Sequence, residues 1–172
     1  MAHDLPSQEE LEPREPTLED LRDLCRELNS RGAQYVVIGG FAIRAAGYNR
    51  RTMDIDLIVA RDEENEARLY AALSTLPDNA VRELQSGELR RYNVIRIADE
   101  VVVDLMASAG SIEYEEASRD VVSHDVDGVR IPFASPRLLW RMKAATHREK
   151  DAGDLVFLRH WFAERNEHPP AT

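Results

Sequence analysis

Asp54 and Asp56 lie inside an apolar run, "TMDIDLIVA". Side chains two apart on a strand point to the same side, so this spacing sets two carboxylates together and turns Ile55 and Leu57 the other way. Aspartate is a poor strand former and like charges repel, so the pair costs stability unless a cation lies between them. A third acid, Asp104, is embedded in the same manner in "VVVDLM". If the two strands are neighbours with matching faces, three carboxylates converge, on the order of 4–6 Å apart. Such a set suits Mg2+, which takes carboxylate oxygens and keeps positions for water and phosphate. Two such ions can clamp the attacking and leaving oxygens of a displacement at phosphorus.

Upstream, Gly39-Gly40 separates the apolar run "YVVI" from "FAIRAAG". Glycines there allow close backbone approach, and the N-terminus of the helix that follows offers amide protons to a phosphate. Taken singly, each feature has an ordinary structural reading: a tight turn, a solvated acidic face, a strand end. Their conjunction points to a metal site facing an anion site.

A basic constellation comes later, with Arg137, Arg141, Lys143, Arg148 and Lys150. These could be solvated helix charges, and Asp151 with Asp154 could cap the last helix. Lys143 is the stronger candidate, because it sits among Leu138, Leu139, Met142 and Ala145, where a long cation can reach from an apolar helix to a phosphate.

The elements that must hold these residues follow from periodicity and caps. Residues 1–16 carry three prolines and five acids with few apolar side chains, and are expected to be a disordered acidic tail. Thr17 caps a helix with Leu18, Leu21, Leu24, Cys25 and Leu28 on one stripe and Gly32 as its stop. "QYVVIG" and "MDIDLIVA" read as strands around the short glycine-led helix, and 62–76 as a surface helix. "AVRELQ", "YNVIRIA" and "EVVVDLMA" read as successive strands, 111–119 as a short acidic helix, and "VVSHDV-DG-VRIPFA" as a hairpin turning at Asp127-Gly128. Ser135-Pro136 opens a helix, and a last one runs from about Asp151 to Arg165. The expected fold is α/β, a mixed sheet with flanking helices and a C-terminal helical pair. Residues 17–134 form the core, 135–166 close the cleft, and 167–172 fray.

At 172 residues, 43% of them hydrophobic, the chain can bury one real core. A lone cysteine, Cys25, cannot form an internal disulfide, and no leader or membrane span is read from the chain, so the expected location is the cytoplasm. The net charge of −10 argues against a non-specific nucleic-acid coat, yet the cations are segregated, so a local basic site stays open.

The signature Ile38-Gly39-Gly40, then Asp54-Ile55-Asp56, then Asp104 resembles the nucleotidyltransferase superfamily typified by DNA polymerase β. More narrowly, "YVVIGGFAIRAAGYNRRTMDIDLIV" with "LLWRMKAATHREKDAGDLVFL" looks like minimal nucleotidyltransferases related to AbiEii-type toxins of toxin–antitoxin systems. Arg50, Thr52, Asp54 and Asp56, then Lys143, Arg148, Lys150, Asp151 and Asp154, occupy the recurring positions. The resemblance covers about residues 17 to 160, and it implies Mg2+-dependent transfer of a nucleotidyl group from a nucleoside triphosphate to a hydroxyl or phosphate. Asp54, Asp56 and Asp104 would hold metal, and Gly39, Gly40, Arg50, Thr52 and Lys143 would bind nucleotide. Arg148, Lys150, Asp151 and Asp154 would give support. The acceptor could be tRNA or a protein, and a cognate antitoxin is implied as partner. The larger toxins continue into a long helical domain that this chain does not show, which puts acceptor recognition in question. An antibiotic-type adenylyltransferase and a non-catalytic nucleotide-binding module are the alternatives.

Overall fold

The computed structural model describes residues 12–172. Helix α1 (Leu18–Ser30) starts where Thr17 and Asp20 form a reciprocal cap, with the Asp20 amide donating to Thr17 Oγ1 at 3.2 Å and the Thr17 amide to Asp20 Oδ2 at 2.7 Å. Strand β1 (Tyr35–Ile38) runs directly into α2 (Gly39–Ala46), and β2 (Asp54–Val59) carries the paired acids. Helix α3 (Glu63–Leu73) and the one-turn helix α4 (Glu88–Arg91) precede the hairpin of β3 (Val94–Ala98) and β4 (Val102–Met106). A two-residue ladder, β5 (Ser108–Ala109) with β6 (Ile112–Glu113), leads through α5 (Tyr114–Ala117) to the hairpin β7 (Val121–Val126) and β8 (Val129–Ala134). Helices α6 (Pro136–Ala144) and α7 (Ala152–Glu164) end the fold.

The main sheet has six strands in the order β3-β4-β2-β1-β8-β7. It is mixed, because β2 with β4 and β1 with β8 are parallel while the other neighbours are antiparallel. On one face Tyr35, Val37, Ile55, Leu57, Val103 and Leu105 are buried. Tyr35 Oη donates to Asn29 Oδ1 of α1 at 2.7 Å, which places α1 over that face. The acids occupy the other face. Among the described residues no helix is long and apolar enough to cross a membrane.

The structure departs from the sequence reading in several places, each with an identifiable contact behind it. "AVRELQ" is not a strand: Ala80–Glu83 is a 3-10 turn. The buried carboxylate of Asp99 takes the amides of Asp78 and Ala80, both at 2.9 Å, and so coils the backbone. The carboxylate of Glu66, also buried, takes those of Gly87 and Leu89 at the start of α4. Within 111–119 only Tyr114–Ala117 is helical, since Ile112–Glu113 pairs with β5. Of the expected N-terminal tail, residues 1–11 lie outside the described residues. The stretch after them is tied down, with the Arg14 amide donating to Glu100 O at 2.8 Å and Glu15 pairing with Arg51 at 2.7 Å. At the other end the expected fraying meets an anchor, Trp140 Nε1 donating to Pro170 O at 3.0 Å.

Candidate active site

Parallel pairing of β2 with β4 sets Asp56 directly opposite Asp104, and Asp54 lies two residues before Asp56 on the same face. One carboxylate oxygen from each of the three lies within 4.8 Å of the others. They form one wall of a cavity of about 690 Å3, whose lining includes Gly39, Gly40, Arg50, Thr52, Lys143, Arg148, Lys150, Asp151 and Asp154. The twelve site residues that the resemblance implies therefore meet at one place, whereas Arg137 and Arg141 of the basic constellation do not line it. Helix α6 and the start of α7 supply the opposite wall.

The glycines are needed where they stand. Gly39 has φ +65, and a Cβ there would come within 2.2 Å of Asp56 Oδ2. At Gly40 it would come within 2.5 Å of the Thr52 side chain. Any larger residue would thus push into the side chains that shape the acid wall. Ile38 provides no side-chain cap for α2, which leaves its first amides without that partner beside the acids. Thr52, buried, donates from Oγ1 to Asp54 O at 2.9 Å and fixes the entry to β2.

The acid wall is short of compensating charge. Arg96 is the single side-chain cation bonded to it among the described residues. Its Nε and Nη2 donate to the two oxygens of Asp104 at 3.0 and 2.9 Å, and Nη2 also reaches Asp54 Oδ2 at 3.1 Å. Asp56 takes no hydrogen bond or ion pair among the described residues. Burial first, and then the charges of Asp54 and Asp104, push its carboxyl up to about 7, against a partial counter-pull from Lys143 and Lys150. Asp54 is raised too, by burial and then by Asp104. In both, desolvation is the larger cause and repulsion the smaller.

The opposite wall is balanced. Arg50 grips Asp154 with Nε and Nη2 at 2.7 and 2.8 Å and places Nη1 on Arg51 O at 2.7 Å. Lys143 Nζ lies 3.0 Å from both Asp151 Oδ1 and Asp154 Oδ2, and Arg148 Nε donates to Asp151 Oδ2 at 2.8 Å. Burial pushes Asp151 upward, but the bonds from Lys143 and Arg148 outweigh it and hold the carboxyl below its ordinary range. The capping alternative fails here. Asp151 and Asp154 do not cap α7 with their side chains; they lock α6, α7 and the Arg50 loop together. Lys143 lines the cavity, but its ammonium is enclosed by two acids rather than open to a phosphate. The open ammonium is that of Lys150, exposed and without an ion pair among the described residues.

Arg96 is the residue that sequence reasoning missed. Its signal was the tight link between two strands already expected as neighbours: Ala98 pairs with Val102, so Arg96 must face Asp104.

Among solved structures, a candidate nucleotidyltransferase from Thermotoga maritima is similar, with 19% identity and a TM-score of 0.50 over 86% of this chain and 93% of that one. An antigenic nucleotidyltransferase-like protein from Paracoccidioides brasiliensis matches with 16% identity and a TM-score of 0.49, over 88% of this chain and 78% of that one. At such identities the former speaks for the fold. No curated protein matches the chain in sequence. The model of the family described as nucleotidyl transferase of unknown function (DUF2204) matches residues 17–167, most of the chain, and the protein belongs to that family.

Proposed function

We propose that this nucleotidyltransferase moves a nucleotidyl group from a nucleoside triphosphate to a nucleic-acid acceptor such as tRNA, with Mg2+ held by Asp54, Asp56 and Asp104. The observation that carries the metal reading is Asp56, a recessed carboxylate with no partner among the described residues and two further acids beside it. Three oxygen donors with little compensating charge fit a hard divalent cation. When bound, that ion supplies charge neutralisation at the transferred phosphoryl group and at the attacking oxygen.

The remaining roles fall to the chain. The amides at Gly39 and Gly40 receive the β- and γ-phosphates at the start of α2. Lys150 meets the charge that grows on departing pyrophosphate, in place of Lys143 as the cation at a phosphate. Lys143, Arg50 and Thr52 act through position, keeping the two walls at a fixed separation. Asp104, once free of Arg96, takes the acceptor's proton.

The charge at the mouth favours a polyanionic acceptor over a polycationic antibiotic. The exposed charges lining the cavity are cationic, with Arg96 62% and Arg148 51% exposed in their side chains, whereas Asp104, Asp151 and Asp154 are buried and paired. A polycation would find few free acids there besides the metal ligands themselves.

Incubation with each labelled triphosphate, Mg2+ and total RNA tests the reading. Label is expected in RNA with one or two of the triphosphates and not with Asp56→Asn. Label appearing only in aminoglycosides or other small molecules would reverse the acceptor assignment. A toxin role, with a cognate antitoxin, belongs to the same proposal: expression should arrest growth, and Asp54→Asn should relieve the arrest.

A further inference from the structure

Arg96 is bonded to the very oxygens that the metal reading needs. Its guanidinium meets Asp104 through two parallel bonds and bridges to Asp54. The burial is lopsided: the Asp104 side chain is 5% exposed and that of Arg96 62%. No other side chain or backbone oxygen among the described residues accepts from Arg96. Strand β3 is the outermost strand of the sheet on that side, so the side chain can swing outward without disturbing a neighbouring strand. Arg50 on the opposite wall offers the contrast, because its third bond, to Arg51 O, holds it at both ends.

A cation so placed lowers the repulsion among three acids when no metal is present. A divalent ion on the same oxygens would occupy the lone pairs that Arg96 uses and set two cations side by side, which repel. Arg96 and the ion therefore compete.

We propose that Arg96 is an exchangeable counter-cation: it clasps Asp104 and Asp54 before a divalent ion enters, is displaced by that ion, and then meets a phosphate group of the incoming substrate. The inference rests on the metal reading above. The exchange also explains how buried acids are kept from repelling each other without being permanently neutralised, as they are in the Lys143 network. A guanidinium released at the mouth is well suited to its second partner, since its planar fork matches phosphate oxygens as it matches a carboxylate.

The test is a Mn2+ titration of the full chain, read by the electron paramagnetic resonance of the free ion, for the wild type, Arg96→Gln and Arg96→Lys. Because a competing bound state lowers apparent affinity by the fraction of competent molecules, Arg96→Gln is expected to bind Mn2+ about tenfold more tightly, with Arg96→Lys between the two. The largely exposed position allows these variants to fold, and circular dichroism checks this. Binding of inorganic tripolyphosphate at saturating Mn2+ should be several-fold weaker in Arg96→Gln. Equal or weaker Mn2+ binding in Arg96→Gln overturns the exchange while leaving the metal site standing. Tighter Mn2+ binding with unchanged tripolyphosphate affinity overturns the second step. Absence of Mn2+ binding in all three proteins removes the metal reading and this inference with it.

Discussion

The two walls of the cavity are built from the same residue type and treat it in opposite ways. Asp54 and Asp104 share one exposed arginine, Asp56 has no bonded partner among the described residues, and the carboxyls of Asp54 and Asp56 are pushed up. Asp151 and Asp154 share Arg50, Lys143 and Arg148, and Asp151 is held down. Buried acids that are paired on every side serve to fix geometry, whereas partly buried acids left short of positive charge are suited to take a cation from outside. On the proposed reading the difference separates scaffold from chemistry within one pocket, and each wall then has a distinct response to mutation.

The largest expected effect is on turnover. Asp56→Asn should lower nucleotidyl transfer by more than about a thousandfold, beyond the range typical of one lost electrostatic contact. Without metal the same variant should be at least as stable as the wild type, because the asparagine removes a desolvated charge that Lys143 and Lys150 offset only in part. Single-turnover transfer beside thermal melts in a chelator checks both; a variant that melts well below wild type would make Asp56 a scaffold residue and erase the contrast between the walls.

Asp154→Asn should do the reverse. It leaves the Lys143 ammonium, with a side chain only 9% exposed, facing one acid instead of two, and it frees the Arg50 fork. Breaking a buried pair costs about 3–5 kcal/mol, and the partial exposure of Arg50 reduces this to about 2–4 kcal/mol. Denaturant unfolding measures it. An undiminished midpoint would mean that the network contributes little to holding α6 and α7 in place.

A smaller effect is expected at Lys150. Lys150→Ala should slow the chemical step by about a hundredfold, as for loss of a single electrostatic donor, with stability changed by no more than about 0.5 kcal/mol at so exposed a site. Lys143→Ala, in contrast, should lose stability first. If Lys143→Ala slows chemistry at unchanged stability while Lys150→Ala does neither, the roles of the two lysines exchange.

The acid wall was legible because it depends on parity alone. Asp54 and Asp56 must share a face of β2, and one register decision, β2 beside β4, brings in Asp104. The glycine turn and the caps at Thr17 and Ser135 are similarly local, and the structure keeps all of them. The second wall was not legible. The partners of Lys143 lie eight and eleven residues on, the first at the end of a 3-10 turn, Glu149–Asp151, and the second past it, and the pattern gave no measure of how that turn folds back. "AVRELQ" failed for a related reason, since its alternation suits a strand while its backbone is claimed by Asp99, an acid distant in sequence. Long-range side-chain demands on the backbone leave no periodic trace.

The gentlest test of the comparison uses pH. Asp56 titrates near 7 in the folded protein against an ordinary value of 3.8, so between these limits the folded state holds a proton that the unfolded state has lost. Stability contributed by that proton is complete at the acid end and declines as pH rises through the raised value, with a slope of at most about 1.4 kcal/mol per pH unit for one group. Asp54, also raised, adds to the same decline. Asp151 has the opposite sign: its lowered value makes the Lys143 network contribute stability that is lost only as pH falls below the ordinary carboxylate range. Other acids titrate across this interval, so the quantity to read is the difference between the wild type and Asp56→Asn in a chelator. That difference should be near zero at the acid end and grow in favour of the variant up to about pH 7. Saturating Mg2+ should abolish it, because the ion stabilises the ionised form in the folded state. A difference that is flat with pH in the chelator would mean that Asp56 is compensated after all, and the two walls would then be alike.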